Sequence, residues 1–229
     1  RPKPMPGKVP TRARPFPTIP SMENPDQLNE VTAILAGLAL SASAGLRVFL
    51  PLLALAIGMR LGYVDPGAGF EWLAHPMILV VLGTASLAEI GAYFFPWFDN
   101  LLDTVATPAA IGSGTVIASA LLPEMNAALQ WGLGFLLGGG SAGVVQGATV
   151  LARGASTATS GGAANPAVAT AETGGSIATA GLVFLVPWVV GGLAVLAVGY
   201  LLFRLIRMAR FTLPAPALYS SSVATWCLS

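Results

Sequence analysis

The sequence predicts an all-α membrane protein of about five transmembrane helices. Three observations carry that expectation. Only 9% of the 229 residues are charged, 55% are hydrophobic and the mean hydropathy is +0.74, against about 25% charged residues in a soluble domain. Long apolar runs alternate with short Gly- and Pro-bearing connections. On two of these runs small residues return every fourth position, the pattern that lets one helix backbone approach another closely in lipid.

The chain divides into a basic, Pro-rich extension (1–30), a multi-pass helical domain (31–210) and a short tail (211–229). Arg1 to Ser21 holds five basic residues, seven prolines and no acid, a composition that favours extended, solvated backbone. It reads as the remnant of an organelle-targeting segment, or as a tail lying on anionic lipid. The membrane is accordingly a bacterial inner membrane or, if the extension is a targeting remnant, an organelle membrane of plastid type. Asn24 is the candidate N-cap of the first helix, with Pro25 at its first position.

The first expected span is Val31–Met59, kinked at Pro51. Ala33, Gly37, Ser41 and Gly45 form its small-residue face. Arg47 follows near mid-depth, either paired with a carboxylate such as Glu89 or snorkelling to the surface. The connection from Arg60 to His75 carries Trp72 as an interface marker, and His75, the only histidine, reads as solvated. Pro76–Phe95 is the second span and contains Glu89. A carboxylate in hydrocarbon costs a few kcal/mol even on lenient scales, about 2.5–3.5 at the helix centre, so Glu89 is expected to be sheltered by protein. Asp99 and Asp103 come four residues apart after the Pro96-Trp97 corner, and thus on one helical face. Thr104–Leu122, poor in large residues, is the third span.

The fourth span, Ala127–Arg153, repeats the small-residue spacing at Gly139, Gly143 and Gly147, and Gln146 is expected to hydrogen-bond across a helix interface. Its GGGSAG run lacks the Lys-Ser/Thr of a phosphate loop and reads as helix packing. Gly154–Ser176 is small, polar and nearly uncharged; it reads as a loop folded back on the bundle, with Asn165-Pro166 as a turn and Glu172 as its one acid. Such a loop is a candidate pore lining. Ile177–Phe203 is the fifth span, interrupted at Pro187-Trp188, with Arg204, Arg207 and Arg210 at its end. Ser43-Ala44-Gly45 recurs as Ser141-Ala142-Gly143, and Pro96-Trp97 as Pro187-Trp188, which suggests an inverted repeat relating spans one and two to spans four and five. Lys and Arg number six against four across the membrane with the basic extension counted and one against four without it, so orientation stays open.

Three runs, SAGLRVFLPLLALAIGMRLGY, AEIGAYFFPWFDNLLDTVATPAAIG and ARGASTATSGGAANPAVATAE, resemble the bacterial membrane family called domain of unknown function 4126, over about Val31 to Phe203. The resemblance singles out Glu89, Pro96, Asp99, Asp103, Pro108, Arg153, Ser156, Thr157, Asn165, Pro166 and Glu172. It implies an architecture and no chemistry, because the family carries no established activity. Where relatives have an acid and a base before the corner this chain has Tyr93 and Phe94, and where they have His and Lys in the fourth span it has Gln146 and Thr149.

No HExxH, no GxSxG and no Ser-His pairing beyond His75 is present, so catalysis is not expected. One cysteine, Cys227, excludes disulfides and Cys-based metal sites within one chain. The basic residues sit in the tails and at loop ends, which argues against nucleic acid. No cofactor is expected; lipid or pigment contacts are compatible with the composition. The expected partners are the bilayer and other membrane subunits. The first functional expectation is a non-catalytic accessory subunit of a larger membrane complex. The alternative is a small-solute or ion carrier or channel built on Arg47, Glu89, Asp99, Asp103, Gln146, Arg153, Asn165 and Glu172.

Overall fold

The computed structural model describes residues 25–65, 67–92 and 96–212. Residues 1–24 of the basic extension, Asn24 among them, Tyr93, Phe94 and the C-terminal tail beyond Thr212, with Cys227, therefore lie outside the described residues, as do the side chains of Asp99 and Asp103. The described residues are helical: α1 (Pro25–Ala44), α2 (Phe49–Leu61), a 3₁₀ turn (Glu71–Ala74), α3 (Pro76–Gly91), α4 (Pro96–Leu121), α5 (Ala127–Leu133), a π-helical turn (Gly134–Gly139), α6 (Gly140–Ser160), α7 (Asn165–Leu182) and α8 (Pro187–Thr212). Among the described residues, two stretches are long and apolar enough to cross a membrane, Ala127–Ser160 and Pro187–Arg210.

Close contacts fix how the helices run. Gly37 meets Leu121, and Ser41 donates to the Gly114 carbonyl at 2.9 Å, so α1 is antiparallel to α4. Gly134 faces Ser119, Gly138 faces Gly114, and Gly143 faces Ile111, so the α5–α6 rod is antiparallel to α4 as well. On α7, Ser176 bonds Ser43 at 3.0 Å, and further along the chain Gly191 of α8 packs on Leu35. The path through α7 thus descends α1 in reverse. Leu46 touches Gly175 and Gly58 packs on Phe184, which makes α2 parallel to α7 and hence antiparallel to α1.

That order corrects the expected first span. Val31–Met59 is not one kinked helix but a helical hairpin, turning at Gly45–Val48. Pro51 explains the break without being its site: a helix continuing through it would lose the bond to the Arg47 carbonyl and press the ring against that oxygen, whereas the first turn of α2 needs no such bond. Ser43 closes α1, its carbonyl accepting from the Leu46 and Arg47 nitrogens at 2.9 and 3.1 Å. A Cβ on Gly45 would stand 2.3 Å from the Ala142 carbonyl and 2.7 Å from Val145 Cβ; glycine is required for that crossing.

The expected loop over Gly154–Ser176 is likewise helical. Gly161 and Gly162 supply the only break, with φ of 62° and 90°, and Pro166 sits in the first turn of α7, where its missing N–H costs nothing. The hydroxyls that make the stretch look loop-like fold onto their own helices: Thr159, Ser160, Thr170 and Thr173 each donate to the carbonyl four residues back. The fifth expected span is divided at 183–186 into α7 and α8. The two Ser-Ala-Gly segments lie on helices that run the same way, both antiparallel to α4. They do not have the opposed directions expected of an inverted repeat.

Exposed Tyr63, Trp72, Trp131 and Trp188 gather at one end of the bundle. There Phe70 packs on Trp131 with ring centroids 5.3 Å apart, and the Gly67 nitrogen bonds the Ala120 carbonyl. Trp and Tyr in such a position mark a membrane–water interface. His75 begins α3 at this end, its Nδ1 accepting from the Met77 nitrogen at 3.3 Å.

Candidate polar site at the α1–α2 turn

The turn Gly45–Val48 is irregular backbone enclosed by helices, so its free N–H and C=O groups must find partners within the protein. Glu89, on the last turn and a half of α3, supplies two of them. One carboxylate oxygen accepts from the Val48 nitrogen at 2.7 Å and the other from the Phe49 nitrogen at 3.1 Å. A carboxylate there caps the first turn of α2 and meets the positive end of its dipole. Ser113 of α4 donates to the Val48 carbonyl at 2.8 Å. One acid and one hydroxyl from two other helices thus close the exposed backbone of the turn.

Arg47 is inside the bundle, with only 1% of its side chain exposed, and does not snorkel. Its guanidinium donates to the Ala169 carbonyl at 2.9 Å and lies 4.0 Å from Glu172, its carboxylate partner among the described residues. Glu89, the partner expected from the sequence, is instead engaged by backbone, although Arg47 and Arg153 both lie within its electrostatic range. Glu172, 5% exposed, is also held by Arg153 of α6, whose Nε donates to one oxygen at 3.2 Å while a terminal nitrogen bonds the other. This forked engagement of both oxygens is the strong form of an Arg–carboxylate pair.

The spacing on α7 explains why Glu172 reaches the cluster. Asn165, Ala169, Glu172 and Ser176 fall on one helical face, and that face meets α6 and the turn. Asn165 donates to Thr157 at 3.2 Å across the α6–α7 turn. Gln146 is buried beside Gly45, but among the described residues its amide makes no hydrogen bond; its backbone carbonyl accepts from Thr149. This differs from the expected bond across a helix interface. Among the described residues, Ser86 Oγ, Ser156 Oγ and Asn165 Oδ1 are buried without a hydrogen-bond partner.

The distance of this site from the aromatic end follows from α2, whose 13 residues at ~1.5 Å each set the turn ~20 Å away. Arg47, Glu89, Arg153 and Glu172 thus come together from four separate segments. Ser113, which the sequence reading did not single out, completes the set. Its only signal was a hydroxyl on the small-residue face of α4.

The expected packing glycines are mostly occupied within the chain. Gly37 meets Leu121, Gly45 meets Ala142, Gly139 meets Thr115 and Gly143 meets Ile111. Gly147 differs: among the described residues no atom lies within 4 Å of the place its Cβ would take, and the same holds for Gly140 and Gly154. These three, seven residues apart, share one face of α6.

A family model described as "Domain of unknown function (DUF4126)" matches residues 34–208. No curated protein and no solved structure matches the chain.

Proposed function

Since the chain belongs to that family of unknown function, whose description carries no activity, we propose that it is a non-catalytic membrane protein, an accessory subunit of a larger membrane assembly. The observation that carries this reading is the commitment of both buried carboxylates. Glu89 is engaged by the start of α2 and Glu172 by two arginines, so the site serves to hold a buried turn rather than to bind a reactant. The open glycine face of α6 supports a partner helix, because Gly140, Gly147 and Gly154 leave room for another backbone to approach.

Extraction from native membrane at low detergent tests the reading. The chain is expected to migrate with larger subunits, and Gly147→Leu is expected to release it without lowering the melting temperature of the isolated chain. Migration of the wild type as a free small particle would count against the proposal.

The second reading is a small-solute or ion carrier. It is favoured by the partnerless buried oxygens of Ser86, Ser156 and Asn165, since such groups commonly hold water or a polar ligand. Flux into proteoliposomes that falls with Glu89→Gln and Arg47→Leu supports this alternative; flux unaffected by either removes those residues from any transport route.

A further inference from the structure

Beyond the polar turn, residues of α2 and of the α7 end of the chain flank a groove of about 530 Å³. Its walls are apolar throughout, with Leu50, Ala54 and Leu61 on one side and Ile177, Gly181 and Leu185 on the other. The α2 residues stand four, seven or eleven apart and form one helical face. Phe184 wedges the two helices at Gly58, where a Cβ would come within 2.7 Å of its ring, and Tyr63 lies 6.4 Å from that ring at the mouth.

The mouth differs in character from the walls. Tyr63 is 73% exposed and belongs to the aromatic end, with Trp188 four residues after Phe184 in sequence. Arg60, in the last turn of α2, is exposed beside Leu61. An apolar channel with a phenol at its mouth, and a cation one residue along the chain from its lining residue Leu61, matches the division of a phospholipid into chain and headgroup. The volume lies within the ~300–1,000 Å³ of small-molecule sites. We propose that this groove binds one acyl chain of an anionic phospholipid, with the headgroup phosphate at Arg60 and Tyr63.

The test uses the full chain in nanodiscs containing phosphatidylglycerol with a photoactivatable diazirine near the end of one acyl chain, followed by peptide mapping. Adducts are expected on Leu50–Leu61 and Ile177–Leu185 at about fivefold or more the density on Leu193–Phe203 of α8, which is equally exposed to lipid, and unlabelled phosphatidylglycerol is expected to compete them away. Equal density on the two surfaces, or no competition, would identify ordinary surrounding lipid and overturn the proposal.

Gly181 has open space where its Cβ would stand, so Gly181→Leu fills the groove without a clash and is expected to reduce groove adducts about tenfold. Undiminished labelling in a folded Gly181→Leu protein would also overturn it. Arg60→Gln, a surface change that keeps the fold testable, is expected to lower the preference for phosphatidylglycerol over phosphatidylcholine about threefold, Asp65 nearby in sequence limiting the effect. An unchanged preference would refute the headgroup assignment.

Discussion

Replacing Glu89 by glutamine tests whether the carboxylate is a helix cap or a transport group. The amide keeps one acceptor oxygen of nearly the same shape, so either the Val48 or the Phe49 nitrogen, bonded at 2.7 and 3.1 Å in the wild type, loses its partner. A buried N–H left without an acceptor costs about 1–3 kcal/mol, and losing a carboxylate at a helix start adds about 0.3–1 kcal/mol. Relief of the buried charge offsets part of this, leaving a net loss of about 2 kcal/mol, or roughly a thirtyfold change in the local opening equilibrium. Hydrogen exchange of the full chain in nanodiscs reads it directly: the peptide spanning Val48 and Phe49 is expected to exchange roughly thirtyfold faster, while the α5–α6 peptides stay as they are. Glu89→Leu, which removes both acceptors, is expected to open the turn further. Exchange at Val48 and Phe49 indistinguishable from wild type in the glutamine variant would refute the capping argument and return Glu89 to the candidates for transport.

Other perturbations follow from the same geometry. Glu172→Gln leaves Arg47 and Arg153 without their shared carboxylate and is expected to destabilise the protein by about 3 kcal/mol, the lower end for a broken buried pair; the shift of a detergent melting curve checks it. In a double-mutant cycle, Arg47→Met with Glu172→Met is expected to cost at least about 1 kcal/mol less than the sum of the two single changes. Gly45→Ala and Gly147→Ala are expected to differ in sign. The first drives a Cβ to 2.3 Å from the Ala142 carbonyl and costs about 1–3 kcal/mol; the second meets open space inside a helix and gains about 0.5–1 kcal/mol in the isolated chain. Ser113→Ala frees the Val48 carbonyl and is expected to cost about 1 kcal/mol, seen in the same exchange measurement as Glu89→Gln.

The helical class, the sheltering of Glu89, and the packing role of Gly37, Gly45, Gly139 and Gly143 are legible because each follows from local chemistry, whereas the residues alone leave Arg47 open between pairing and snorkelling. A charge in an apolar run needs cover, and a glycine every fourth residue makes a flat face. Direction was not legible. Nothing between Val31 and Met59 distinguishes a kinked rod from a hairpin, since the difference lies in where Ser41 and Val48 meet α4. The stretch after Arg153 reads as loop in the sequence because small polar residues have low helix propensity in water. In the fold their hydroxyls bond back to the preceding turn, and only Gly161 and Gly162 interrupt the helix. The Arg47–Glu172 pairing joins residues far apart in sequence, and no spacing rule connects them.

The hairpin turn at Gly45–Val48 also constrains the order in which the protein can be made. Its acceptor on α3 is synthesised 41 residues after Val48, and the carbonyl that receives Arg47 comes 122 residues after that arginine. When the first two helices leave the ribosome, an arginine and a pair of bare amides have no counterparts yet. The hairpin must wait in a wetter setting, at the insertion machinery or the bilayer surface, until the later helices arrive to receive it.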